Sequence, residues 1–188
     1  FYRRLAHLPK NARLPTTAQP TPRQFTQAIE QVKAEGASSI VITTVSAKLS
    51  GTHNSAVQAA ELEHDVPVFV WDTNSVSMGG GWQTIIAAEM AQAGASFADI
   101  VAMVPKLPQR IVTVFTVDTL KYLVAGGRLS PVQGMMGTLL NVKPMLIIDD
   151  GLLKPIGRER GRKSAKAALI DLVLKHVGDS PVRIAIVN

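Results

Sequence analysis

The stretch "SAKLSGTHNSA", residues 46–56, places Ser46, Ser50 and Thr52 around Gly51, and it follows the apolar run "SIVITTV" without a break. If Thr52 opens a helix, the unpaired backbone N–H groups and the positive end of the dipole favour an anion there. Ser50 and Ser46 add hydroxyl donors, and Gly51 allows close approach of a ligand. A carboxylate or a phosphate fits this pattern. So does a plainer arrangement, in which Ser50 caps the helix and Gly51 makes the turn. A third reading takes Ser50 as a nucleophile with His53 as its base. Three residues of separation on an emerging helix give that pair poor geometry, no G-x-S-x-G elbow is present, and no acid is placed to orient His53. No catalytic residue is assigned.

The remaining chemistry-bearing groups narrow the field. His7, His53, His64 and His176 show no metal-ligand spacing, so no metal is expected. "GRERGRKS" resembles a Walker loop, but its glycines stand four apart rather than five and charged residues fill the loop. "GGGW", Gly79 to Trp82, has Thr84 where a dinucleotide fingerprint has its third glycine, so flexibility at a helix start or close packing explains it better. No nucleotide site, and no cofactor, is expected. Arg158, Arg160, Arg162, Lys163 and Lys166 form a basic cluster suited to nucleic-acid phosphates, to an acidic protein surface, or simply to a solvated helix start. It has no interleaved aromatics, and protein docking is preferred to nucleic acid. Arg128, in "GGRLSP", is either solvent-facing or a docking anchor.

The elements that position these groups read as an α/β fold. Thr21-Pro22 supplies an N-cap and an N1 proline for a helix over 25–35, with apolar residues at Phe25, Ala28, Ile29 and Val32 and a stop at Gly36. "SSIVITTVS" and "VPVFVWD" read as buried parallel strands, with a helix from Thr52 to about His64 between them and another over 77–93. Beyond a short helix in "SFADIVAMVPKL" come a strand "RIVTVFTV", a helix "DTLKYLVAGG", a short helix "PVQGMMGTLL", and a hairpin turning at Asp150-Gly151. A helix over 164–177 and a closing strand "VRIAIV" complete the chain. The division expected is an N-terminal α/β domain over 1–108 and a second over 109–188.

The 188 residues, 46% of them hydrophobic, are long enough to bury a core. The absence of cysteine removes thiolate nucleophiles, disulfides and cysteine-ligated zinc, and it suits a cytoplasmic location. No apolar run approaches the roughly 20 residues of a spanning helix, so no stable membrane insertion is expected. The formal charge of +6 is concentrated in the basic cluster. A first residue that is not methionine and a last strand with nothing to cover it suggest part of a longer protein, truncated at both ends.

The segments "TTAQPTP", "SAKLSGTHNSA", "WDTNSVSMGGGW", "VDTLKYLVAGGRLS", "GTLLNVKPMLIIDDG" and "GRERGRKSA" follow one another over nearly the whole chain. In this order they resemble the DegV family, bacterial fatty-acid-binding proteins that include the acyl-carrier subunit of fatty acid kinase. The resemblance implies two α/β domains with one long-chain fatty acid between them, its carboxylate held by hydroxyls and backbone amides of the first. Thr17 and Ser50 match the carboxylate contacts, with Ser46 and the Gly51 backbone in second place. It also implies a carrier that is not itself an enzyme and that presents the carboxylate to a separate kinase for acyl-phosphate formation. Arg128, Arg158, Arg160 and Arg162 match positions near the mouth or the docking face.

Val76, Met78, Met135, Met136, Leu139, Leu140 and Met145 offer flexible or aliphatic side chains for an acyl tunnel, though plain core packing uses the same residues. Roughly 14 buried methylenes at about 0.8 kcal/mol each would outweigh the head group in affinity. Ala18 and Ala47 stand where the family often has serine, which thins the head-group network. Set against the family, its opening strand with an Asp-Ser-Thr segment is expected to be missing before Phe1, and its C-terminal part, including a late histidine that helps close the pocket, to be missing after Asn188. The alternatives from other classes are a serine hydrolase using Ser50 and a nucleic-acid-binding protein.

Overall fold

In the computed structural model, residues 5, 7–9, 12–129 and 142–187 are described. Met135, Met136, Leu139 and Leu140, with the short helix expected over 131–140, lie outside them. Helix α1, Pro22–Ala34, starts where Thr21 was expected to cap it. Thr21 Oγ1 accepts the Gln24 N–H, and Gln24 Oε1 accepts the Thr21 N–H at 2.8 Å, so two otherwise orphaned donors are satisfied reciprocally. Strand β1, Ile40–Thr44, then runs parallel to β2, Val68–Asp72, with Ile40 opposite Val68 and Thr44 opposite Asp72. Helix α2, Thr52–Ala60, makes the crossover, and α3, Ser77–Gln92, and α4, Phe97–Met103, follow.

Alternation along the strands sorts these helices into two layers. Ile40, Ile42 and Val68 pack with Ile29 of α1 and Ala59 of α2. Val41 and Trp71, on the opposite face, pack with Ala87 of α3, Ile100 of α4 and Val104. Both faces of the parallel pair are therefore covered, as the β-branched run requires. Helix α2 stops at Ala60, short of the expected His64. Glu63 explains the early stop, because its carboxylate accepts the N–H groups of Asp65 and Val66 and turns the chain toward β2.

Two short 3₁₀ turns, Val104–Lys106 and Pro108–Arg110, lead into a second sheet. Its antiparallel strands are β3, Val114–Thr116; β4, Val142–Asp149; and β5, Leu152–Arg160, in the order β3-β4-β5. Helix α5, Lys121–Ala125, follows β3, and α6, Gly161–Val177, packs on the sheet with Ala165 fully buried. The hairpin turns at the expected Asp150-Gly151, where both residues have positive φ, 48° and 72°. That is the type I′ signature, whose twist matches the flanking strands.

Three expectations are corrected. The strand read from "RIVTVFTV" shrinks to Val114–Thr116: Arg110 is spent in a turn, and 111–113 and Val117 lie outside the ladder. The closing strand "VRIAIV" is absent from the sheets: among the described residues, 181–187 belongs to no helix and to no strand ladder. It is held instead by Arg183, which pairs with Glu89 of α3 at 2.8 Å. The basic cluster is not simply a helix start either. Arg158 and Arg160 belong to β5, which runs on past Gly157, and only Arg162, Lys163 and Lys166 lie on α6.

Candidate carboxylate site at the strand ends

The loop 45–51 leaves the carboxyl end of β1 and enters α2, which is where open parallel sheets collect ligands. Gly51 is the N-cap of α2 and supplies no side-chain acceptor. Ser50 partly compensates, accepting the Thr52 N–H at 3.3 Å and lying 2.8 Å from the Thr52 hydroxyl. A helix start with one half-buried hydroxyl over it can still receive an anion. His53 is not part of this arrangement, since its Nδ1 lies 3.1 Å from the Thr44 hydroxyl. Ser50 and His53 thus have different partners and form no nucleophile-base pair.

The loop owes its shape to buried contacts behind it. Ser46 is fully buried; its N–H donates to the Ser75 carbonyl at 2.8 Å, and its own carbonyl accepts from Leu49 and Ser50. Its hydroxyl donates to the Gly151 carbonyl at 2.7 Å, in the hairpin turn of the second sheet. Asp72, at the end of β2, accepts the Ala47 N–H at 3.1 Å and the Asn74 N–H at 2.8 Å, so one carboxylate braces both loops. Lys48 reaches the carbonyl and carboxylate of Asp150 at 2.8 and 2.7 Å. That ammonium, with Lys154 adding to it, holds the Asp150 carboxyl below its ordinary value.

The structure places the other expected site residues as follows. Thr17 lies in the exposed segment 15–20, two residues before Gln19. Gln19 packs over Gly51 so closely that a methyl group at Gly51 would stand 2.6 Å from Gln19 Nε2, which brings the Thr17 segment to the loop of Ser50. Arg128 reaches the same loop from the second sheet's side, donating from Nε to the Leu49 carbonyl at 3.2 Å and from its guanidinium to the Gly126 carbonyl. Arg158 and Arg160 are exposed on β5, and Arg162 on α6 approaches Asp118 at 3.9 Å. Met78 sits in the first turns of α3, and Met145 is buried in β4 opposite Gly157.

A cavity of about 280 Å³ opens where the two sheets meet. Thr73, Asn74, Ser75 and Gln83 line it from the first unit; Ile111, Val112, Ile147 and Ile148 give it an aliphatic wall from the second. None of Val76, Met78 and Met145 lines it. Among the described residues no group of acidic, histidine or cysteine side chains has metal-binding geometry, and no helix is long and apolar enough to cross a membrane.

A family model described as an uncharacterised protein, DegV family, matches residues 3–188. This chain belongs to the DegV family. It is 38% identical to a DegV domain-containing protein of Streptomyces coelicolor over 98% of this chain and 65% of that protein. It is 36% identical to a Thermotoga maritima protein named fatty acid-binding protein, over 91% of this chain and 59% of that one. A solved DegV-family structure from Thermus thermophilus, described by its fatty acid binding, superposes with a TM-score of 0.83 at 33% identity, covering 95% of this chain and 62% of that one. The chain thus spans less than two thirds of the length of these relatives, and the mixed α/β architecture is theirs.

Residue types and spacing alone missed Asp72, Lys48, Gly151 and Gln19. Asp72 carried a signal, since an acid closing a buried strand beside "TNS" is well placed to take loop amides. Gly151 was legible as a turn residue, but not as the partner of Ser46, because a contact between residues 105 positions apart leaves no local trace.

Proposed function

We propose that this chain binds a single long-chain fatty acid, holding its carboxylate at the start of α2 with the Ser50 hydroxyl, the Gly51 amide and Thr17. The observation that carries this reading is the loop itself: a hydroxyl and an amide-bearing glycine at a helix start without a side-chain cap, covered by the Thr17 segment through Gln19. The names of the Thermotoga and Thermus relatives, both referring to fatty acids, support the ligand. The aliphatic wall of Ile111, Val112, Ile147 and Ile148, where the two sheets meet, is an apolar surface available to an alkyl chain, and Met78 with Met135, Met136, Leu139 and Leu140 is the further set proposed for the acyl tunnel. Ser46, whose hydroxyl proton is committed to Gly151, supports the site from behind.

The carrier does no chemistry of its own in this proposal. In the bacterial cytoplasm a separate kinase transfers the γ-phosphoryl group of ATP to the exposed carboxylate oxygen, leaving ADP and an acyl phosphate. Arg128, Arg158, Arg160 and Arg162 are the proposed docking residues, and the division near residue 108 separates the head-group unit from the docking unit. The reading is tested by native mass spectrometry of the chain purified from bacteria and then titrated with palmitate. One fatty acid per chain is expected. A chain that purifies empty and takes up no palmitate overturns it.

A further inference from the structure

The fold offers two ways of fixing the loop that carries Ser50. One is local: the Asp72 carboxylate takes the N–H groups of Ala47 and Asn74 and ties the ends of β1 and β2 together. The other comes from outside the parallel unit. The carbonyl of Gly151, in the β4-β5 turn, accepts the hydroxyl of a residue with no exposed surface, and that residue's own carbonyl holds the Ser50 N–H at 3.0 Å. Displacement of the turn therefore reaches the backbone of Ser50 through one residue, Ser46. The fit leaves no slack on the hairpin side. A methyl group at Gly151 would stand 2.6 Å from Ser46 Oγ and 2.8 Å from Asn74 Oδ1, at a φ of 72° that already disfavours a side chain. On the outside, Lys48 of the loop clasps Asp150 of the turn.

We infer that Ser46 and Gly151 form a positioning latch, through which the hairpin of the second sheet sets the head-group loop and confers preference for a carboxylate over an uncharged head group. This rests on the fatty-acid reading. Ser46 is a positioning residue here, acting through Ser50 rather than touching the ligand. The distinction from a simple structural tether lies in what is lost with the hydroxyl. A tether supports all ligands alike, whereas the latch matters only to ligands whose head group uses the loop, because a carboxylate depends on donor geometry and an alkyl chain does not.

Palmitate and the matching long-chain alcohol are titrated against the chain, Ser46→Ala and Lys48→Met, with a thermal melt of each. The unaltered chain is expected to prefer the acid. Ser46→Ala is expected to lose about tenfold in affinity for the acid, the scale of one displaced charge-assisted hydrogen bond, with the alcohol within about twofold of its original value. Lys48→Met, confined to the surface, should shift the same ratio by a smaller factor. An unchanged acid-to-alcohol ratio in Ser46→Ala, whether both affinities fall together or neither does, overturns the latch and leaves the fatty-acid reading standing. If Ser46→Ala fails to fold, an unchanged ratio in Lys48→Met overturns it instead. An unaltered chain that binds neither ligand overturns the fatty-acid reading, and the latch with it.

Discussion

Arg128 Nε donates to the carbonyl of Leu49 at 3.2 Å, so a cation from beyond β3 lies directly against the loop that carries Ser50. Under the proposed role as a carrier that offers a carboxylate for phosphorylation, that cation would stabilise the developing negative charge and meet an approaching partner. Arg128→Ala is expected to lower acyl-phosphate formation with a fatty acid kinase by about tenfold or more, and to lower palmitate affinity by a smaller factor. Phosphate transfer and palmitate titration on the same preparation check this. Equal losses in both would place Arg128 in ligand binding alone.

Gly79 reverses a familiar sign. Replacing a helical glycine by alanine ordinarily stabilises by roughly 0.5–1 kcal/mol. A methyl group at Gly79, however, would stand 2.1 Å from both Ser75 Oγ and Thr113 Oγ1, hydroxyls that bring the two units together at 3.3 Å. Gly79→Ala is therefore expected to destabilise by about 1–3 kcal/mol, the cost of overpacking. Denaturant unfolding measures it.

Lys33 of α1 joins Glu63, Asp65 and Glu30, with Glu63 at 2.9 Å and its side chain only 6% exposed. The ammonium holds the Glu63 carboxyl below its ordinary value, helped by the N–H groups of Asp65 and Val66. A carboxyl depressed in the folded state contributes stability above its unfolded pKa, and loses it as pH falls through the folded value. Melting temperatures taken between about pH 7 and about pH 3 should fall on the acid side, where carboxylates protonate. In Lys33→Met, the melting temperature should be lower at neutral pH and the acid-side fall shallower.

Gln83 is fully buried and links three partners. Its Nε2 donates to the carbonyls of Thr73 at 2.8 Å and Gly79 at 3.2 Å, and its Oε1 accepts the Trp71 indole N–H at 2.7 Å. Gln83→Leu keeps the volume and strands these groups, with an expected loss of about 2–4 kcal/mol if one or two stay unsatisfied. Trp71 fluorescence should shift in the folded state, since the indole loses its acceptor. Unchanged emission would show that another acceptor has replaced it.

These contacts mark how far the sequence alone could be read. Thr21-Pro22 announced α1 because a cap acts over three residues, and Asp150-Gly151 announced its turn because positive φ favours glycine locally. The continuous runs "SSIVITTVS" and "VPVFVWD" pointed to the parallel pair, whose burial on both faces selects apolar side chains almost throughout. What could not be read is what joins distant segments. "VRIAIV" has the composition of a strand, yet pairing depends on a neighbour that composition does not specify. Ser50 and Gly51 were visible as an anion-binding pattern, but the Gln19 contact joins segments over thirty residues apart, and the Arg128 contact and the support of Ser46 by Gly151 arise only when the two sheets come together.

The central claim is that the fatty-acid carboxylate sits at the start of α2 against Ser50 and Thr17, and NMR of carboxyl-labelled palmitate bound to the chain tests it most directly. The bound carboxyl resonance is expected to be distinct from that of free palmitate, to titrate at lower pH because hydrogen bonds favour the charged form, and to move in both Ser50→Ala and Thr17→Val. A bound carboxyl resonance that titrates as in the free acid and is unmoved by either substitution would put the head group elsewhere and contradict the account.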